Sequence, residues 1–225
     1  MIIAIDGPAG AGKSTVAREI ARRLAFLYID TGAMYRALTL KVLDNNIDLK
    51  NIPLLVDLAK HTQLHLDNDG QGALRISMDG KDVSRQIRQP RITRFVSDIA
   101  RIKEIREVML LLQRAIGREK KDVVLDGRDI GTVVFPDAEK KFYINADFKE
   151  RVRRRYEELK DLGQDVSEKD VENDLRNRDT IDSTRECAPL KKADDALYLD
   201  TTGMTIEQVV EVMLGHIRIS IRDVL

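Results

Sequence analysis

One stretch, GPAGAGKS at residues 7–14, limits the folds open to this chain more than any other. It fits the pattern glycine, four residues, glycine, lysine, serine. Before it runs the apolar MIIAID (1–6), and after it comes KSTVAREIARRL, where Val16, Ala17, Ile20, Ala21 and Leu24 share one helical face. Strand, glycine loop and helix together make an anion cradle, because the loop's N–H groups converge and the helix adds its positive end. Gly7, Gly10 and Gly12 permit the turn, and Pro8, Ala9 and Ala11 complete it. Lys13 is placed to reach the terminal phosphates of a nucleotide, and Ser14, followed by Thr15, to face Mg²⁺.

Such a cradle belongs at the edge of a parallel sheet, and the rest of the chain predicts one. The runs DVVLDG (122–127), KFYINA (141–146) and ALYLDT (196–201) are apolar and β-rich, as strands covered on both faces are. Helical faces alternate with them: Phe95, Val96, Ile99 and Ala100; Ile105, Val108, Met109, Leu112 and Ile116; and Ile206, Val209, Val210, Met213, Leu214 and Ile217. The expected fold is α/β, a parallel sheet flanked by helices, in a single domain over residues 1–225. Two regions depart from it. TQLHLD, NDGQG and ALRISMD within about 60–90 alternate polar and apolar residues, predicting a small antiparallel β insert with NDGQG (68–72) as its turn. Residues 147–180 are dense in charge, predicting two solvated helices around DLGQDVS (161–167), an element suited to move.

The chain's 38 basic and 38 acidic residues cancel, which removes the global field that drives binding to nucleic acid polymers. The lone Cys187 has no partner for a disulfide or a metal site, and no apolar run approaches membrane-spanning length. A cytoplasmic, monomeric protein without a membrane partner is expected. His61, His65 and His216 are too scattered for a catalytic triad and read as structural or surface residues.

A cradle alone leaves the reaction open. A guanine-reading Asn-Lys-x-Asp is absent, since NNID (45–48) has Asn46 where lysine is needed, which weakens a GTPase reading. DTGAMYR (30–36) follows the strand-like FLYI, and LDGRDIGTVVFP (125–136) starts at the end of another strand. Both therefore fall at the carboxyl edge beside the cradle, with Asp126, Arg128 and Asp129 together. RDTIDSTR (178–185) repeats Arg178, Asp182 and Arg185 at helical spacing. As a surface ladder it is poorly ordered, because arginine precedes aspartate by four; as a ligand grip it needs a partner carrying hydroxyls and a phosphate. A kinase of some small acceptor and a nucleotide-dependent regulatory module both remain open at this level.

IDGPAGAGKST, DTGAMYRA, DGRDIGTVVFPDA, RDTIDSTRECAPL and ADDALYLDTT, in this order and across nearly the whole chain, resemble the bacterial cytidylate kinases, the (d)CMP kinases of the nucleoside monophosphate kinase class. The resemblance implies transfer of the γ-phosphoryl group of ATP to CMP or dCMP with Mg²⁺, on a P-loop kinase fold with a monophosphate-binding insert and a helical lid near 148–168. It assigns Arg36, Arg128 and Arg185 to the acceptor phosphate, with Thr31 and Tyr35 beside them, and Arg178 and Asp182 to the sugar. Ser97, Arg106 and Asp129 fall to cytosine, whose amine donor and ring acceptors suit an acid and an arginine. The lid KERVRRRYEEL (149–159) would bring Arg151, Arg154 and Arg155 over the donor phosphates, with Lys13, Arg128, Arg185 and Arg154 acting in catalysis. Arg153 with Glu157 and Arg154 with Glu158 are also spaced as ordinary helix-surface pairs. Many members carry glycine where this chain has Ser14, which leaves open whether its hydroxyl ligates the metal.

Overall fold

The computed structural model describes residues 1–68 and 74–222. The first half runs β1 (Ile2–Asp6), α1 (Lys13–Leu24), β2 (Leu27–Asp30), α2 (Thr31–Asp44), α3 (Ile52–Lys60), β3 (Leu64–Asn68), β4 (Leu74–Met78) and β5 (Lys81–Asp82). The second half runs α4 (Pro90–Ala100), α5 (Lys103–Lys120), β6 (Val123–Gly127), a π-helical turn (Ile130–Val134), β7 (Lys140–Asn145), α6 (Phe148–Asp161), α7 (Glu168–Thr184), β8 (Leu197–Asp200) and α8 (Ile206–Arg222).

Five strands pair in parallel in the order β2-β6-β1-β7-β8. Successive side chains of a strand face opposite sides, so the apolar runs fill two cores. Ile3, Ile5, Val124, Phe142 and Ile144 pack with α1 and α8, while Ala4, Ile29, Val123 and Leu125 pack with α2, α4 and α5. The five strand-like runs of the sequence are these five strands.

The predicted antiparallel element is also present, as the sheet β3-β4-β5. Its alternation buries Leu64, Leu66 and Ile76 against the core on the α2 side, which is why this stretch is not a linker. Of the turn read at NDGQG (68–72), Asn68 ends β3, and residues 69–72 lie outside the described part of the chain.

The charged region forms α6 and α7, the second opened by a capping box between Ser167 and Asp170. Its few apolar residues are not idle: Val152, Val171 and Leu175 build a third cluster, and Ala9 of the glycine loop is buried within it. Among the described residues no helix is long and apolar enough to cross a membrane.

Candidate active site

Strand register sets the site. Asp6 lies level with Gly127 and Tyr143, and Asp30 level with Asp126, so the loops after β1, β2 and β6 open at one edge of the sheet. The Asp6 carboxylate accepts from the backbone N–H groups of Ile130 and Gly131, each at 2.8 Å, and so fixes the turn that presents Arg128 and Asp129. Burial pushes Asp6 up to about 6 despite those two bonds. Gly10 and Gly12 hold φ of 75° and 86°, left-handed values that let the loop curl. Inside the curl the Lys13 ammonium donates to the Pro8 carbonyl at 2.7 Å. The Ser14 hydroxyl donates to Asp126 at 2.9 Å, and Tyr28 donates to the other Asp126 oxygen at 2.7 Å. Thr31, buried at the start of α2, donates to the Asp126 carbonyl at 2.7 Å.

A cleft of about 910 Å³ opens over the loop, and the sequence-predicted residues line it except Gly7 and Pro8, at the start of the loop, and Arg151. Cations crowd its middle. Arg36 donates to Thr93 at 2.8 Å, yet burial first and then the charges of Arg178 and Arg155 pull it down to about 9. Burial, then Arg128, also lowers Arg178, whose nearest carboxylate is Asp174 at 3.7 Å. The Nε atoms of Arg155 and Arg178 are buried without a partner. Like charges held this close, with donors unspent, mark a site built for a polyanion.

RDTIDSTR proves not to be a solvated face. Asp182 is 6% exposed and Arg185 9%. Asp182 accepts from Arg128 at 2.7 Å and lies 3.7 Å from Arg185. Arg185 reaches Asp129 at 3.3 Å, and Asp129 also takes the guanidinium of Arg106, which stands over the Tyr35 ring at 5.6 Å. Ser97 is buried at the same end of the cleft, and the Nε of Arg106 is left without a partner there. Arginine and carboxylate thus alternate from Arg128, through Asp182 and Arg185, to a pocket lined by Tyr35, Ser97, Arg106 and Asp129.

On α6 the expected ladder holds in part. Arg153 pairs with Glu157 at 2.7 Å, but Arg154 turns to Glu150 rather than Glu158 and also donates to the Thr201 carbonyl at 2.7 Å. Arg155 takes Glu158. Arg154 and Arg155 line the cleft; Arg151 does not, lying behind the glycine loop with 7% exposure.

The family model for cytidylate kinases matches residues 3–219. The chain belongs to the cytidylate kinase family. It is 50% identical over 216 residues to a cytidylate kinase of Caldanaerobacter subterraneus, covering 96% of this chain and 94% of that one. To a cytidylate kinase of Clostridioides difficile it is 46% identical over 219 residues, covering 97% and 99%. Among solved structures, an uncharacterized protein from Eubacterium ventriosum superposes with a TM-score of 0.54 at 14% identity, covering 97% of this chain and 98% of that one, a likeness of fold alone.

Within this cytidylate kinase cleft stand side chains to which the sequence reading gave no role. Asp126 is the main one, and its position at the end of the strand beside β1 was the available signal. Arg18 lies four residues beyond Ser14, hence on the same face of α1, and lines the cleft with a buried, unpartnered Nε. Arg88 and Thr201 line it from the ends of other segments, where no periodicity could point to them.

Proposed function

We propose that this chain transfers the γ-phosphoryl group of ATP to CMP or dCMP, giving ADP and CDP or dCDP, through the residues that line this cleft. The observation that carries the reading is the crowd of cations beside the glycine loop: Arg36, Arg128, Arg155 and Arg178 stand half-buried in one cleft, with the Nε atoms of Arg155 and Arg178 left without a partner. A hydrolytic switch has no use for it, and a neutral acceptor could not offset its charge.

The acceptor phosphate is held by Arg36, Arg128 and Arg185, which aim one of its oxygens at the γ-phosphorus. As that bond forms, the bond to the ADP oxygen breaks. No strong base is needed, because the attacking oxygen is already ionised. Lys13, Arg154 and Arg155 offset charge that grows on the transferring group, and the fixed geometry of these cations supplies the orientation. Mg²⁺ fits at the Ser14–Asp126 contact, where a hydroxyl and a carboxylate offer the oxygen donors that a hard cation takes alongside nucleotide phosphates, and it would offset charge on the β- and γ-oxygens. Asp182 and Arg178 hold the sugar, and Asp129, Arg106 and Ser97 read the base.

Base choice tests this directly in a panel of nucleoside monophosphates, where CMP and dCMP should exceed UMP, AMP and GMP. Asp129→Asn keeps the shape of the side chain but gives it a donor that can serve the O4 of uracil. The CMP to UMP ratio of kcat/KM should shrink by about one to two decades. Arg106 and Arg185 lose their carboxylate in the same change, so both substrates should slow as well. Equal slowing with an unchanged ratio would leave Asp129 as a prop for the two arginines and not a reader of the base.

Lys13 adds a pH signature. Burial, then the charge of Arg128, lowers it to about 7, against 10.5 for an ordinary lysine. Phosphates supply the missing counter-charge and raise it again. Between those limits the free protein holds the lysine neutral and the complex holds it charged, so binding takes up a proton and weakens as pH rises. Calorimetric titration of ATP at about pH 8.5 in two buffers of different ionisation enthalpy should show an uptake approaching one proton, lost in Lys13→Met. No uptake by the wild type would contradict the assignment.

A further inference from the structure

The exception among the lid arginines is informative. Arg151 donates to the Ala9 carbonyl at 2.9 Å, to Asp179 at 2.6 Å and to the Ala146 carbonyl at 3.2 Å, and its guanidinium covers the Phe148 ring at 5.1 Å. Asp179, on α7, accepts in turn from the Ala9 N–H at 3.2 Å. One ion pair therefore holds both backbone polar groups of a single loop residue. The contact is packed as well as bonded. Ala9 is 3% exposed among Val152, Val171 and Leu175, and a Cβ at Gly10 would come within 2.9 Å of the Arg151 carbonyl oxygen.

We propose that Arg151 and Asp179 are a positioning pair that sets the Ala9 peptide of the phosphate loop and joins the loop to the base of the α6–α7 hairpin, so that grip on the donor phosphates depends on two side chains that do not touch them. The inference rests on the loop's being the ATP site. A loop with Gly7, Gly10 and Gly12 has backbone freedom to lose, and a rotated peptide beside Ala9 would turn a carbonyl toward the phosphates where the cradle needs N–H groups. Fastening Ala9 from both sides removes that state. The same hairpin carries Arg154 and Arg155 on α6 and Arg178 and Asp182 on α7, so the fastening also puts donor cradle and acceptor grip on one frame. Asp179 sits between the acceptor-side residues Arg178 and Asp182 in sequence, but its carboxylate faces the loop.

A double-mutant cycle on the full chain separates this from a direct role, using Arg151→Met, Asp179→Asn and the pair, with steady-state kinetics in both substrates, active-site titration and thermal melts. Each single change should raise KM for ATP about tenfold or more and leave KM for CMP within about threefold, and the double variant should be no worse than the worse single, because either change releases the same peptide. Arg151→Lys, which keeps one bond to the loop, should recover part of the loss. If Arg151 instead bound ATP phosphates, Arg151→Met would cut kcat steeply, Asp179→Asn would be nearly silent, and the two effects would multiply; that result overturns the pair. So does a fall in melting temperature with both KM values and the turnover per active site unchanged. A wild-type protein that forms no ADP in response to CMP would sink the kinase reading itself, an outcome the cycle cannot imitate.

Discussion

Replacing Lys13 with alanine lowers kcat by roughly three orders of magnitude while the melting temperature changes little. Lys13 is 5% exposed, and its ammonium donates to the Pro8 carbonyl of its own loop. Burial and the neighbouring Arg128 make its charge unfavourable before a nucleotide arrives, so the fold gains little from it. The transferring phosphoryl group is where that charge is used. Removing a cation whose interaction strengthens in the transition state costs about 4 kcal/mol, the equivalent of the stated loss. Rapid-quench single-turnover kinetics beside a thermal melt checks both halves. A variant within tenfold of wild-type kcat, or one that loses stability and keeps its turnover, would remove Lys13 from the catalytic set.

The second large effect is expected at Arg128, and on the other substrate. Arg128→Met should reduce kcat/KM for CMP by about 10²- to 10³-fold and change KM for ATP far less. Arg128 spends its Nε on Asp182 at 2.7 Å and one terminal nitrogen on the Gly127 carbonyl at 3.2 Å, which leaves the rest of the fork for the acceptor phosphate. The substitution deletes a charge-assisted fork to a dianion and leaves the buried Asp182 with only the more distant Arg185. Arg128→Lys should restore a small part, because a point charge cannot hold carboxylate and phosphate in one plane. Kinetics with CMP and ATP varied in turn decide it: a loss confined to ATP would move Arg128 to the donor side.

The fold was legible where one element decides its own pattern. MIIAID, the glycine loop and the face from Val16 to Leu24 name strand, cradle and helix without help, and alternation alone gave the small β3-β4-β5 sheet. The site was legible as a set of side chains and much less as a set of partners. Arg128 and Asp182 are 54 residues apart and meet only when β6 and α7 are in place. Helical spacing therefore left RDTIDSTR between a poorly ordered surface ladder and a ligand grip, and could not show the network of partners that buries it. The same limit applies on α6. Spacing was read as pairing Arg154 with Glu158, but Arg154 takes Glu150 together with Thr201, which comes from the loop after β8. Arg151 looked like its neighbours because its partner carbonyl, at Ala9, lies 142 residues away and backbone groups leave no mark in a sequence.

These assignments all depend on one acceptor-dependent reaction, and product stoichiometry tests it most directly. With ATP and Mg²⁺ present, ADP and CDP should appear in equal amounts on adding CMP, and ADP formation without CMP should be slower by orders of magnitude. ADP appearing with inorganic phosphate, at a rate that CMP does not change, would contradict the account.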